Sequence, residues 1–349
     1  MTAPILPFDP SAKDLPPSAI PVRSDWLALV DEPVLDPALD IIDPHHHLWH
    51  RRNERYLMDE LLADLNTGHN IRATVFVQCR SMYRLDGHEA LRSLGETEFV
   101  VRATQGLAPN QPQVAAGIVC MADLMLGSQV VPVLEAHIEA AQGRLRGVRN
   151  MTSSHPSATS MFGHMPPHRL LDPQWRKGAA HLVTHGLSCD IYAFHTQLDE
   201  VVDLARHQPD LTIILNHLGT PLGTGPFENQ RAEVFADWKA RMARAAACPN
   251  IVLKLGGAGI HLMGFRFHEQ ALPPDSQTLA EAWRPYVHTC IELFGPERCM
   301  FESNFPVDKG QFSYKVLWNA FKRLVQEASA EEKAQLFSKT AARVYRLSI

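Results

Sequence analysis

From residue 40 onward the sequence alternates short apolar runs with longer stretches of helical periodicity. Eight apolar runs are present, at residues 40–47, 73–79, 115–121, 145–150, 187–192, 211–217, 251–255 and 299–304. Short runs that are apolar throughout are typical of strands buried on both faces of a parallel sheet. Residues 197–207 and 331–345 place apolar side chains at helical spacing. Eight strand–helix repeats in roughly 310 residues predict a closed (β/α)8 barrel, or TIM barrel.

The main alternative architecture is a doubly wound open sheet. Such sheets often carry G-x-G-x-x-G or G-x-x-x-x-G-K-[ST] after an early strand, because glycine lets the backbone approach a phosphate. Neither motif follows an early apolar run in this chain. The sequence therefore favours the barrel, as a single α/β domain over residues 40–349.

The first 39 residues have a different character, with eight prolines. Proline removes amide donors and breaks helical periodicity, so we expect residues 1–39 to form an extended arm that lies on the barrel. Two long segments after predicted strands, residues 151–174 and 256–277, are rich in apolar and aromatic side chains. Loops of this length usually form lids or binding walls, here for a substrate with a ring or hydrocarbon part; a contact between subunits is the alternative.

Charge and composition narrow the function. The chain has 33 Lys and Arg against 38 Asp and Glu, a net charge of −5, with no basic block, so we expect no nucleic-acid or membrane partner. No signal peptide or apolar stretch of about 20 residues is visible, which predicts a cytoplasmic protein. The six cysteines form no C-x-x-C pair and are expected to be buried thiols. Eighteen histidines point toward metal or proton chemistry.

The first predicted strand carries three consecutive histidines near its end. Because side chains alternate along a strand, His45 and His47 share one side and His46 takes the other. Active sites of TIM barrels lie at the carboxyl ends of the strands, so two imidazoles there would make half of a metal site. A histidine-rich surface turn is the alternative interpretation.

The sixth apolar run ends at His217, just before a turn sequence. A third imidazole at a strand end completes a set that suits one divalent ion, such as zinc or manganese. On its own, a histidine in this position is more often a hydrogen-bonded core residue. The presence of His45 and His47 favours the ligand interpretation.

The eighth run places Glu302 and Asn304 two residues apart, and hence on one face. A carboxylate inside a barrel is costly unless paired, so Glu302 is a metal ligand, a base, or half of a buried ion pair with Arg149 or Lys254. Arg149, Lys254 and Gln78 end or lie within other strands, and we expect them to bind substrate, since an arginine fork suits a carboxylate. Polar packing between strands is the alternative for all three.

Several of these segments together resemble amidohydrolase family 2, a branch of the amidohydrolase superfamily with lactonase-like members. They are Asp43-Pro-His-His-His, Val-Phe-Val-Gln78, Gly-Val-Arg149, Asn-His217-Leu-Gly, Val-Leu-Lys254-Leu and Ser-Asn304-Phe-Pro. The resemblance implies a barrel hydrolase whose site uses histidines of the first and sixth strands, often a fifth-strand histidine, and an eighth-strand aspartate. His45, His47 and His217 stand at the family's positions, and His195 is the match to the fifth-strand histidine.

One departure from the family pattern is important. The family usually has Ser-Asp-x-Pro on the eighth strand, where this chain has Ser303-Asn304-Phe-Pro. An amide cannot take a proton from water, although its carbonyl oxygen can orient one. Proton transfer would then move to Glu302, His195 or Asp308.

These observations predict a hydrolase that opens a small, carboxylated lactone or related cyclic ester or amide. His45, His47 and His217 would hold the metal ion, and Glu302, Asn304 and His195 would be catalytic. The alternatives are a metal-dependent decarboxylase or hydratase on the same barrel, or a catalytically silent ligand-binding relative. A homo-oligomer is possible.

Overall fold

A computed structural model describes residue 9 and residues 20–51, 54–108, 110–158 and 165–349 of the chain. Residues 159–164, in the first of the two long loops predicted above, and most of residues 1–19 therefore lie outside the described residues. No helix in the described ranges is both long enough and apolar enough to cross a membrane.

The centre of the molecule is a sheet of eight parallel strands in sequential order. We number these barrel strands β1 (Asp40–His46), β2 (Asn70–Val77), β3 (Gln113–Cys120), β4 (Leu145–Met151), β5 (Ser188–Tyr192), β6 (Ile213–Leu215), β7 (Ile251–Lys254) and β8 (Cys299–Met300). The first and last strands meet beyond β8, where Asn304 N donates to His45 O at 2.9 Å and His47 N donates to Phe305 O at 2.8 Å. The predicted TIM barrel is confirmed.

Two strands are four residues shorter than the apolar runs that predicted them. Strand β6 ends at Leu215 and β8 at Met300, whereas the runs extend to His217 and Asn304. Both of these later residues have φ of +55°, in the left-handed region. The chain therefore leaves the extended conformation at the rim, where the predicted site residues lie.

Helices surround the barrel. They are α1 (Ser24–Leu27), α2 (Met58–Leu65), α3 (Leu94–Ala103), α4 (Val131–Ala140), α5 (Pro173–Thr184), α6 (Leu198–His207), α7 (Arg231–Ala246), α8 (Ser276–Phe294), α9 (Tyr314–Leu324), α10 (Ala330–Ala334) and α11 (Thr340–Val344). Their ends follow local chemistry: Asp172 accepts from the backbone of Gln174 and Trp175 and so caps α5, which starts at a proline. The predicted helix over 331–345 is helical throughout, with a π turn at Gln335–Lys339 between α10 and α11. A two-stranded hairpin, Trp49–Arg51 with Glu54–Tyr56, follows β1.

Residues 20–39 lie along the outside of the barrel. Trp26 Nε1 donates to the carbonyl oxygens of Gln270 and Ala271 at 3.2 Å. Lys322 Nζ donates to Leu35 O at 2.7 Å and to Asp36 O at 2.9 Å. These bonds attach the described part of the N-terminal segment to α9 and to the loop before α8, while the division of the chain at residue 39 stays a prediction.

The core has two parts. A large outer cluster fills the space between strands and helices, and a smaller cluster fills the lower lumen, from Ile42 and Val75 to Val252 and Tyr345. All six cysteines are buried free thiols, as predicted. The upper lumen, at the carboxyl ends of the strands, is polar, and it holds the candidate site.

Candidate active site

Charged and imidazole side chains from five strands converge at the carboxyl end of the barrel. His45 lies in β1, Arg149 in β4 and Lys254 at the end of β7, while His217 and Glu302 follow β6 and β8. Each is at most 3% exposed. The carboxyl ends of parallel strands meet at one rim, which explains how residues so distant in sequence reach one another.

At the centre, the Glu302 carboxylate lies between two imidazoles. Its Oε1 atom accepts from His217 Nδ1 at 2.7 Å and its Oε2 atom lies 2.6 Å from His45 Nδ1. The second contact does not have the orientation of a hydrogen bond, and Oε2 has no hydrogen-bond partner among the described residues. A buried carboxylate oxygen without a hydrogen bond is costly, which indicates that it serves a cation or a proton.

This cluster fits a divalent metal ion. His45, His217 and Glu302 each offer one ligand atom, and the three atoms lie within 4.8 Å of one another. Burial, followed by Lys254, holds the pKa of His45 well below its usual range, and burial also lowers that of His217 against the opposing effect of Glu302. Both imidazoles are therefore neutral at neutral pH, the form that binds metal, and two histidines with one carboxylate are a known zinc donor set.

His47 and His46 occupy opposite sides of the segment, as alternation predicts. The ring of His47 packs edge-on against that of His45 at 4.9 Å between centroids, and its Nδ1 is bonded to Val77 O at 2.7 Å. His47 lies outside the group of three close ligand atoms, so its role as a ligand stays a prediction. His46 Nε2 instead contacts Thr74 Oγ1 at 2.9 Å, away from the cluster.

Arg149 and Gln78 form a second part of the site. Arg149 Nη1 lies 3.1 Å from His45 Nε2, and its Nη2 donates to the backbone oxygen of Gln78. The Gln78 side chain donates back to Arg149 O at 3.4 Å. Arg149 Nε and Gln78 Oε1 are buried and have no hydrogen-bond partner within the described part of the chain. A polar ligand bound beside His45 would satisfy both this donor and this acceptor.

Lys254 belongs to a charged layer just below the cluster. Its Nζ atom lies 3.0 Å from Asp190 Oδ2, 3.3 Å from His45 Nδ1 and 3.8 Å from Glu302 Oε2. Asp190 also accepts from Asn216 Nδ2 and Tyr345 Oη, both at 3.0 Å. The sequence analysis did not identify Asp190. This residue is a charged side chain inside an apolar run, 187–192, which is the same feature that identified Lys254.

Asn304 is turned toward a second buried carboxylate. Its Nδ2 donates to Asp308 Oδ1 at 2.8 Å, and Gly259 N donates to Asp308 Oδ2 at 2.9 Å. Burial raises the pKa of Asp308 well above its usual range. Each oxygen of Asp308 therefore already accepts one hydrogen bond within the protein.

His195 stands farther from the cluster, in a 3₁₀ turn beyond β5. Its Nδ1 accepts from Leu222 N at 3.2 Å, which assigns the proton to Nε2, and its ring packs against Phe227 at 5.2 Å between centroids. Burial lowers the pKa of His195 to about 4. A neutral imidazole with its proton on Nε2 is a hydrogen-bond donor on that side.

The backbone of the loop after β7 lies in close contact with Glu302 and His217. An added Cβ on Gly256 would collide with Glu302, and one on Gly257 would collide with the ring of His217. Gly257 also has φ of +71°, which favours glycine. These two glycines let the backbone approach the imidazole and the carboxylate closely and so help to hold them in place.

A TIM barrel with a buried histidine–carboxylate centre at its carboxyl rim has the architecture of a metal-assisted hydrolase. Residues 42–347 match the family model described as Amidohydrolase. The chain belongs to this amidohydrolase family, and it is a hydrolase.

Among similar proteins, an uncharacterised protein, y4mH, of Sinorhizobium fredii is 32% identical over 330 residues, which cover 88% of this chain and 98% of the relative. An L-fucono-1,5-lactonase of Burkholderia multivorans is 25% identical, covering 88% of this chain and 96% of the relative. An L-rhamnono-gamma-lactonase of Scheffersomyces stipitis is 24% identical, covering 76% and 85%.

Solved structures share the fold. An amidohydrolase from Burkholderia multivorans with bound zinc superposes with a TM-score of 0.68 at 24% identity, covering 88% of this chain and 99% of that one. A 5-carboxyvanillate decarboxylase from Sphingomonas paucimobilis has a TM-score of 0.54 at 14% identity, covering 89% and all of its own chain. The same barrel thus serves more than one reaction, and the chemistry has to be argued from the site.

Proposed function

We propose that this hydrolase opens a lactone by attack of water on the ring ester, at the cluster of His45, Glu302 and His217. The observation that carries the proposal is the buried Glu302 carboxylate between the imidazoles of His45 and His217, with no hydrogen bond to Oε2 within the described residues. The lactonase names of two relatives support the choice of a cyclic ester. Such a reaction needs a group that takes a proton from water and a positive charge near the carbonyl oxygen.

His45, His217 and Glu302 would hold one divalent ion, with His47 as a further candidate ligand. When bound, such an ion polarises the ester carbonyl and lowers the pKa of water. The zinc of the structurally similar Burkholderia protein supports zinc, while manganese stays open.

Glu302 takes the proton from the attacking water in this proposal. Its Oε1 is held by His217, whereas Oε2 has no hydrogen bond in the described ranges. Asp308, the other carboxylate near Asn304, accepts a hydrogen bond from the protein on each of its oxygens. Glu302 would therefore combine the two tasks, ligand and base, that the family resemblance gives to the eighth-strand aspartate replaced here by Asn304.

The other predicted residues receive different roles. Arg149 Nε, which has no hydrogen-bond partner among the described residues, would donate to a carboxylate or carbonyl oxygen of the substrate, with Gln78 Oε1 accepting nearby. His195 would donate from Nε2 to an oxygen of the substrate, and Asn304 would orient water. Lys254 is engaged with Asp190 and fully buried, so we propose that it balances charge below the cluster rather than touching substrate.

The test is a lactone panel with a pH indicator, because ester opening releases acid. Glu302→Gln keeps the shape of the side chain but removes its charge, and we expect a loss in kcat of at least about 1,000-fold, since a buried base and ligand is lost. Asp64→Asn, a matched change at a buried carboxylate that binds Lys309 and Tyr56, should retain turnover.

Metal content separates the possible outcomes. His217→Ala should release the bound ion, and a chelator should abolish turnover that added zinc or manganese restores. Acid release that is unaffected by Glu302→Gln would contradict the assigned base. Release of carbon dioxide without acid from ester opening would identify a decarboxylase, and ligand binding without turnover would identify a silent relative.

A further inference from the structure

Beside the cluster stands an apolar surface that the proposed hydrolysis does not explain. Loops that follow β4, β5, β6 and β7 contribute to it, and we call it the apolar wall: Met151, Ala158, Tyr192, Phe194 and Leu222, which are buried, with Met165, Phe227, Ile260 and Leu262, which are partly exposed. It shares no residue with the lower-lumen cluster, and it meets the outer core at Ile260, which packs against both.

The apolar wall begins at the site itself. The ring of Tyr192 packs edge-on against His217, with 5.4 Å between centroids. Farther out, Phe227 lies between two histidines, 5.2 Å from His195 and 5.1 Å from His155. Aromatic rings of the apolar wall therefore contact both His217 and His195.

Two loops that carry the apolar wall are fastened to each other. Gly223 N donates to Leu262 O at 2.8 Å, which joins the loop after β6 to the loop after β7. A Cβ on Gly223 would collide with Met263 O, so the two backbones are in direct contact. The apolar wall is thus a built surface on paired loops rather than a set of isolated side chains.

The chemistry of this surface disfavours a polyhydroxylated substrate. Each sugar hydroxyl placed against aliphatic or phenyl carbon would lose a hydrogen bond to water without gaining one, at about 1–3 kcal/mol per group. A hydrocarbon group in the same place would instead be stabilised by leaving water, since apolar pockets with few polar groups are typical of sites for such ligands. The named relatives are sugar lactonases, so this chain would differ from them in substrate.

We propose that the substrate is a lactone whose ring carries an alkyl or aryl group, and that Phe227 and Leu262 select for it. The proposal rests on the lactone hydrolysis proposed above. The ring ester lies at His45, His217 and Glu302, and the substituent lies along the apolar wall. No new bond chemistry is required, because the substituent contributes only binding.

The experiment measures kcat/KM for δ-lactones with increasing alkyl chains, starting from unsubstituted δ-valerolactone, together with dihydrocoumarin and L-fucono-1,5-lactone. We expect kcat/KM to rise about four-fold per methylene until the apolar wall is covered. The sugar lactone should be the poorest substrate of the panel.

Variants then locate the effect. Phe227→Ala and Leu262→Ala should each lower kcat/KM for the longest alkyl lactone by about ten-fold, mainly through KM, with a loss that shrinks as the chain shortens. Phe227→Leu should restore most of it. Val183→Ala, at an exposed apolar residue of α5, is the matched control and should change nothing.

The possible failures are distinguishable. If no lactone is hydrolysed, the proposed function falls, and this inference with it. If kcat/KM for the sugar lactone equals that for the alkyl lactones, the proposed function stands and the selective role of the apolar wall is wrong. If Phe227→Ala and Leu262→Ala change the oligomeric state by size-exclusion chromatography and leave the chain-length dependence intact, the surface is a subunit contact and the proposal is overturned.

Discussion

The two halves of the barrel lumen differ sharply in composition, although some strands, such as β1 and β7, line both. The lower half is filled by aliphatic side chains from six strands and closed by Ala341, Val344 and Tyr345 at the C-terminus. The upper half contains Lys254, Asp190, Glu302 and Arg149, all buried. The change from apolar to charged side chains takes only two residues of a strand, as from Val252 to Lys254 in β7.

This difference indicates a division of labour within one lumen. Burial of aliphatic groups stabilises the barrel in the lower half. In the upper half, buried charges carry a desolvation cost that only mutual pairing offsets, so stability there depends on complete networks. Tyr345 joins the halves, because its ring belongs to the apolar cluster and its hydroxyl donates to Asp190. Substitutions in the two halves should therefore differ in their effects on stability and turnover.

The largest expected effect on stability is at Lys254. Lys254→Met removes the cation that faces both Asp190 and Glu302 and leaves two buried carboxylates without it. We expect the free energy of unfolding to fall by about 3–5 kcal/mol, measured by urea denaturation. Lys177→Met, at an exposed position of α5, is the control and should stay within about 0.5 kcal/mol.

A double variant sharpens this first test. Adding Asp190→Asn to Lys254→Met removes one of the two uncompensated charges and should recover part of the loss. A fall of less than 1 kcal/mol for Lys254→Met alone would show that the upper layer is not an obligatory charge network, and the contrast between the halves would then be one of composition only.

A smaller effect is expected at the Asn304–Asp308 pair. Asn304→Asp brings two carboxylates into direct contact and removes the bond that Asn304 Nδ2 donates to Asp308. We expect a loss of about 1–3 kcal/mol at neutral pH. The exchange Asn304→Asp with Asp308→Asn restores one amide and one carboxylate, and should recover more than half of it.

The exchange also tests proton transfer. With the carboxylate moved to position 304, where the family resemblance places its base, kcat should be retained even when Glu302→Gln is added, if position 304 can reach the substrate. Complete inactivity of that triple variant with its metal content intact would keep Glu302 as the proton acceptor. An exchange variant no more stable than Asn304→Asp alone would contradict the pairing itself.

The fold and the proximity of three site residues could be predicted from the sequence. Buried parallel strands are apolar and short, and their carboxyl ends share one rim, so His45, His217 and Glu302 could be placed together from strand order alone. Alternation also separated His46 from His45 and His47. The catalytic and ligand roles of these residues stay predictions.

Other features depended on contacts that no local pattern reveals. Tyr345 reaches Asp190 from 155 residues away, through the packing of the last helix against the barrel. Alternation along the strand predicts which face His47 takes, but not how far its ring lies from the other ligand atoms. It also does not show that Glu302, rather than His47, completes the group with His45 and His217. The left-handed conformations of His217 and Asn304, which lie beyond the ends of β6 and β8, are likewise not predicted by residue type alone.

The smallest expected effect is in the lower half, at Ile214. This side chain is fully buried in the apolar cluster and lies in β6, three residues before His217, so a change here tests directly how independent the two halves are. Ile214→Val removes one methyl group, for which we expect a loss of about 0.5–1.5 kcal/mol. Because apolar packing there has no polar partner to disturb, kcat and KM on the best lactone should stay within about two-fold, or 0.4 kcal/mol. A fall in kcat of more than ten-fold with unchanged stability would show that β6 transmits packing changes to His217, and the lower lumen would then be part of the catalytic apparatus rather than its support.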